Sequence, residues 1–225
     1  MINNQNNIVN GGAVNSVSQL AQPGDLAAVY LTPDALMSYC ATRLRGIDDQ
    51  IHTSMTRQQN ANADSAVLSK LAEELRPPGG KVEFGKNDDV FKNYGKALLD
   101  AASAAKDPSV KQKLLAQANK FVMSHEEPPG SGKYKSDGLD VDKNGAVKID
   151  GTYHSVGDTL DPDSLKPMTS EFVSNVQKDL NSDTELSMIN LQSLMSQRQS
   201  SVQLITNMVQ SLGDQLNKIA GNIGH

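Results

Sequence analysis

The chain has 225 residues, 37% of them hydrophobic and 4% aromatic, with no Trp and a formal net charge of −5 at pH 7. That length holds one large domain or two small ones, and the core must be assembled from Leu, Val, Ile, Ala and Met, a supply that suits thin helical layers better than a globular enzyme. The acidic balance excludes a nucleic-acid footprint, which needs a basic face or stripe, and the single cysteine, Cys40, excludes an internal disulfide and a cysteine-based zinc site.

No Lys or Arg precedes Arg43, so the basic start of a secretory signal is missing, and no apolar run is long enough to cross a bilayer. Residues 1–30 open with a stretch rich in Asn, Gln, Ser and Gly, whose isolated apolar residues cannot offset the entropy of ordering, and disorder is expected there. Thr32-Pro33-Asp34 then reads as a helix start, with Thr as N-cap, Pro at the first helical position and an acid near the positive end of the dipole. Met37, Cys40, Leu44, Ile47 and Ile51 follow in a three-four rhythm, continued more weakly by Met55, Ala61, Leu68, Ala72 and Leu75. Cys40 falls in this pattern as a small buried hydrophobe. Pro77-Pro78-Gly79-Gly80 ends a helix expected over 32–76. Its Lys and acid pairs read as a solvated face. Ser54, Gln58 and Ser65 occupy core phases and predict looser packing in the middle.

An inserted region spans 77–165. Asn87-Asp88-Asp89 starts a helix over about 88–105 bearing Val90, Phe91, Tyr94, Leu98 and Leu99, and Asp107-Pro108 starts a second over about 108–123. The two form a helical hairpin. Pro128-Pro129-Gly130-Ser131-Gly132 reads as a flexible joint. From about 138 to 160 the period becomes two: Leu139 and Val141, the turn Asn144-Gly145, Val147 and Ile149, the turn Asp150-Gly151, then Tyr153 and Val156. This predicts a small three-stranded meander.

Helix resumes after Pro167 and is expected to reach Gly221 as a C-terminal cap. Ser182-x-x-Glu185 fits a capping box that starts a fresh helix or a slip of the seam within one continuous helix, and continuity is the reading taken. Beyond it, Met188, Leu191, Met195, Val202, Ile205, Val209, Leu212, Leu216 and Ile219 keep one narrow seam, interrupted by Arg198. Gln197, Gln199, Gln203 and Asn207 lie on a neutral outer face. Soluble coiled coils flank their seam with Glu and Lys that reject wrong partners; amides and hydroxyls reject nothing. The predicted fold class is therefore mainly α with a small β element (α+β): a long antiparallel coiled coil of the 32–76 helix and the 167–221 helix, enclosing the helical hairpin and meander.

No motif supports catalysis, a cofactor or a metal. Asp140-x-Asp142-x-Asn144-Gly145 matches the first half of an EF-hand loop, but position twelve is Gly151 instead of Glu and the flanks read as strands, so an acid-rich hairpin turn explains the letters better. His52, His125, His154 and His225 are scattered. Gly130-Ser131-Gly132-Lys133 lacks the leading Gly and preceding strand of a phosphate loop.

The run Leu191-Gln192-Ser193-Leu194-Met195-Ser196-Gln197-Arg198-Gln199, with Leu204-Ile205-Thr206-Asn207 and Ile219-Ala220-Gly221-Asn222-Ile223, resembles the end of bacterial type III secretion needle-tip proteins, in flavour the Bordetella-type tip and filament protein. The likeness covers roughly the last 40 residues and the overall layout. It implies a non-enzymatic protein, exported unfolded on an uncleaved N-terminal signal and secreted to the bacterial cell surface at the needle tip. There it would self-associate and support translocator assembly on the host membrane. Implied partners are further copies of itself, the needle subunit, the translocator proteins and a cytoplasmic export chaperone, with no nucleic acid and no transmembrane segment of its own. Leu191, Met195, Val202, Ile205, Val209, Leu212, Leu216 and Ile219 would form the assembly seam, and Met37, Leu44, Ile47 and Ile51 the partner helix. Sequence cannot divide the seam between the chain's own first helix and other copies. The alternative is a cytoplasmic coiled-coil adaptor or chaperone whose helix flanks happen to be polar.

Overall fold

The computed structural model describes residues 33–223, so the predicted disordered or export-signal segment, the Thr32 N-cap and His225 lie outside the described residues. The described chain is mostly helical with short antiparallel strands. It runs α1 (Pro33–Glu74), β1 (Val82–Glu83), α2 (Asp88–Ala104), α3 (Pro108–Ala118), β2 (Met123–Glu126), β3 (Tyr134–Gly138), β4 (Val147–Ile149), β5 (Thr152–His154), β6 (Thr159–Leu160), α4 (Pro162–Leu165), a 3-10 turn at Lys166–Met168, and α5 (Ser170–Ile223). Two units divide it: residues 43–204, and a smaller unit holding residues 33–42 and 205–223. Among the described residues no helix is long and apolar enough to cross a membrane.

The core of the larger unit joins the end of α1 (Leu68, Leu71) and Leu75 just after it, the α2–α3 hairpin (Phe91, Leu98, Leu99, Leu114), Val147 and Ile149 of β4, and the start of α5 (Val173, Val176, Leu180). Burial of this apolar surface, at about 25 cal/mol per Å² removed from water, holds the inserted region onto the two long helices. The few aromatics matter more than expected. Phe84, Phe91 and Phe121 are fully buried, so this core is not made of aliphatics alone. Phe84 stacks on Phe91 with ring centroids 5.0 Å apart and on His154 at 4.5 Å. Tyr94 packs edge-on to Phe121 and donates its hydroxyl to the Arg76 carbonyl at 3.0 Å; burial pushes its pKa up.

The helical hairpin is fixed by carboxylates. Asp107 accepts from the backbone N–H groups of Ser109 and Val110 and so caps α3. Asp64, fully buried on α1, accepts from the N–H groups of Lys106 and Asp107 at 2.6 and 2.7 Å. The Lys70–Glu74 pair of α1 is solvated, whereas Asp64, which pairs with no Lys side chain among the described residues, is buried because two orphan donors at the α2–α3 turn need an acceptor.

Several boundaries differ from those read in sequence. α3 stops at Ala118, not near 123, because the chain turns so that Phe121 and Val122 enter the core, Val122 against Gly95. Pro128 to Gly132 is the tip of a hairpin between β2 and β3 instead of a flexible joint, with Glu126 accepting from the Gly132 N–H. The single meander is absent. Its last two strands exist as β4 and β5, paired Val147 to His154 and joined by Asp150 and Gly151, both with positive φ. Val141 makes only an isolated bridge to Val147, while β6 leaves to pair with β1. Alternation alone carries no record of β1 or of β2, which is why these pairings escaped. The last long helix starts at Ser170, passes through Ser182 without a break and contains Gly221, which therefore caps nothing before Ile223.

In the smaller unit Cys40 is buried, and Ile205, Met208 and Leu212 are half-buried. Met37, Tyr39, Val209, Leu216 and Ile219 are exposed.

Candidate functional site

Within the larger unit α1 and α5 lie side by side and antiparallel. Gln177 reaches Ser65 at 3.4 Å, and Arg198 reaches Asp48 at 2.6 Å, so going back along α1 goes forward along α5. Along α1 the inward stripe is Ile47, Ser54, Ala61 and Leu68, with Ala61 only half-buried, and Leu44, Ile51, Gln58, Ser65 and Ala72 half-buried between. On α5 it is Val173, Leu180, Ser187, Leu194 and Ser201, with Ser187 only half-buried, and Gln177, Thr184 and Leu191 half-buried between. Both helices follow the three-four rhythm of a helix with one preferred neighbour.

The predicted seam residues divide between inward and exposed positions. Leu191 faces inward, as do Leu44, Ile47 and Ile51, but Met195 and Val202 are 59% and 41% exposed, and the inward positions beside them are Leu194 and Ser201. Of the residues in the smaller unit, Ile205 and Leu212 are half-buried, whereas Met37, Val209, Leu216 and Ile219 are exposed. Leu191, Ile205 and Leu212 thus keep the predicted positions, while at Met195 and Val202 the buried residue is the one before, Leu194 and Ser201. Gln197, Gln199, Gln203 and Asn207 are exposed, as read from sequence. Arg198 is no interruption: its guanidinium pairs with Asp48, each side chain about half exposed.

Ser54 and Ser201 are small, buried residues of this stretch. A groove of about 1000 Å³ opens on one flank, with Ile51, Met55, Leu191, Met195 and Val202 as its apolar floor and Gln58, Gln59, Asn62, Ser196, Gln199 and Gln203 along its edges. A second cavity of about 620 Å³, bounded by Ser54, Ala61, Pro108, Asp179 and Ser187 among others, lies between the pair and α3. Of the polar residues at core phases, Gln58 lines both spaces and Ser54 the second. The larger groove carries one acid and one base, paired with each other, and otherwise amides, hydroxyls and apolar side chains. Such a surface can bury apolar area against another helix at little desolvation cost.

Residues of chemical interest elsewhere are engaged in structure. Asp142 accepts from the N–H groups of Asn144 and Ala146, closing an Asx turn, and Asp140 pairs with Lys148 and accepts from the Tyr153 hydroxyl. The EF-hand letters therefore build a turn, and no group of three or more His, Cys, Asp or Glu that could hold a metal occurs among the described residues. His125 sits between Asp137 at 2.8 Å and Glu127 at 3.4 Å, His154 stacks on Phe84, and His52 is exposed. Asp64, the residue with the most consequential contacts that sequence reasoning missed, had a faint signal: an acid in the phase next to the seam. Compared with protein-family models, curated proteins and solved structures, the chain matches none.

Proposed function

We propose that this chain is a non-enzymatic assembly protein that is secreted and self-associates at the tip of a bacterial type III secretion needle, supporting translocator assembly on a host membrane. The observation that carries the reading is the exposure of apolar side chains on α5, Met188, Met195 and Val202 in one unit and Val209, Leu216 and Ile219 in the other, on a helix nearly bare of charge beyond Leu186. Exposed apolar surface of this extent is characteristic of a helix that meets a partner. The antiparallel pairing of α1 with α5 serves, in this reading, as a coiled coil that presents that surface, with the α2–α3 hairpin and strands bracing it. A chain that passes unfolded through a needle is helped by having one cysteine and hence no internal disulfide.

The experiment is an export assay in the cells that make the protein. The tagged chain should reach the medium, removal of residues 1–20 should keep it inside, and inactivating the type III export apparatus should do the same. Retention of the full chain in the cytoplasm, with the truncation indifferent, would favour a cytoplasmic adaptor or chaperone using the same groove.

A further inference from the structure

We propose that the groove between α1 and α5 docks on the same groove of a second copy, so that two antiparallel helix pairs face each other in a symmetric four-helix layer with Met55 and Met195 of each entering the other. This rests on the self-association proposed above and names the surface that carries it.

Charge is the first argument. A two-fold interface sets each patch against itself, so a patch with net charge repels its own copy. Among the described residues, Asp48 and Arg198 are the only formally charged ones lining this groove, and they neutralise each other at 2.6 Å. The rim offers Gln58, Gln59, Asn62, Gln199 and Gln203. An amide is both donor and acceptor, and therefore complements another amide.

Helical phase is the second argument. On both walls the groove residues stand one position beyond the inward ones: Met55 after Ser54 and Asn62 after Ala61 on α1, Met195 after Leu194 and Val202 after Ser201 on α5. Each helix thus carries two adjacent stripes. A helix with a single neighbour needs one stripe, and a helix in a four-helix layer needs two. The side chains also suit the space: Met, unbranched and adaptable, fills irregular gaps. Met55 and Met195 are 48% and 59% exposed, so the copy opposite has the side chains to supply.

The face is modest in size. From Asp48 to Asn62 it is about 21 Å long at the helical rise, and two helices give it a width of about 20 Å, or roughly 400 Å². A standard stable interface buries about 800 Å² on each partner. The pairing is accordingly reversible and concentration-dependent.

The test is sedimentation equilibrium on the full chain, the variants Met195→Glu and Met195→Lys, their equimolar mixture, and Ser200→Glu, which places its charge on the far side of α5. Either Met195 variant alone should weaken association at least about tenfold, since like charges then oppose in an apolar layer. The mixture should restore it, Ser200→Glu should match the unaltered chain, and far-UV circular dichroism should be the same for all. An unaltered chain that associates while Met195→Glu associates equally well, or while the mixture stays apart, overturns this docking face and leaves self-association standing. A chain that is monomeric throughout overturns both. If that monomer captures a foreign helical protein and loses it on Met195→Glu, the groove belongs to that partner and the pairing proposed here is wrong.

Discussion

Replacing Asp64 by Ala gives the most demanding test of how the inserted region is held to the long helices. The carboxylate is fully buried and accepts two backbone N–H groups, from Lys106 at 2.6 Å and Asp107 at 2.7 Å. A hydrogen bond to a charged acceptor contributes about 1.5 to 3 kcal/mol. Both donors sit at the α2–α3 turn where water can reach in part, so the lower end applies to each, giving a total loss of about 3 kcal/mol. For a chain of this size that corresponds to a fall in Tm of roughly 6 to 12 °C. Asp64→Asn is informative beside it. The amide presents one acceptor, and its NH₂ group would confront the second N–H, so it keeps at most one of the two bonds. Urea unfolding of the three proteins, with equal slopes, measures the losses. A cost under about 1 kcal/mol for Asp64→Ala would refute the argument that this residue anchors the hairpin.

Three further outcomes follow from neighbouring positions. Leu194→Ala should cost about 2 to 5 kcal/mol in denaturant unfolding, because Leu194 is buried between the long helices, while Met195→Ala one residue on should stay within about 0.5 kcal/mol; the reverse order would restore the sequence-predicted phase. Gly95→Ala should cost about 1 to 3 kcal/mol, since its new methyl would overlap the Val122 side chain, and a neutral effect would show that α2 and the chain after α3 can separate freely. The N–H groups of Gly132 and Gly130 hold the Glu126 carboxyl below the ordinary Glu value. Its contribution to the β2–β3 hairpin is therefore present above the unfolded Glu range and lost as pH falls through the lowered value. Amide exchange in the hairpin should accelerate over that acid window in the natural chain and not in Glu126→Gln; equal acid sensitivity in both would remove Glu126 as the cause.

What could be read from sequence and what could not divide along physical lines. Long periodic segments and hard breakers announce themselves, so α1 to within two residues of its end at Glu74, the starts of α2 at Asp88 and α3 at Pro108, and the continuity of α5 were legible. Strand partners were not, because Val82 pairing with Leu160 depends on where the intervening chain returns. The hairpin tip at Pro128–Gly132 looked like a linker, since the residues that make a tight turn are those that make a flexible one. On the long helices, periodicity located the stripe but not its phase. Leu194 and Ser201 are buried while their equally or more apolar neighbours Met195 and Val202 are exposed, and only the position of the second helix distinguishes them. The small, polar Ser54 was legible as a weak point, and the groove lies beside it.

The claim at the centre of this account is that the exposed apolar side chains of α5 bring copies of the protein together. Light scattering coupled to size exclusion over a wide concentration range, on the full chain and on a variant lacking residues 203–225, tests it most directly. The account predicts reversible growth of the full chain into larger species; the variant, which keeps Met55, Met195 and Val202 but lacks Val209, Leu216 and Ile219, should pair without growing further, with helicity retained over the remaining residues. A full chain that stays a strict monomer at every concentration would contradict it.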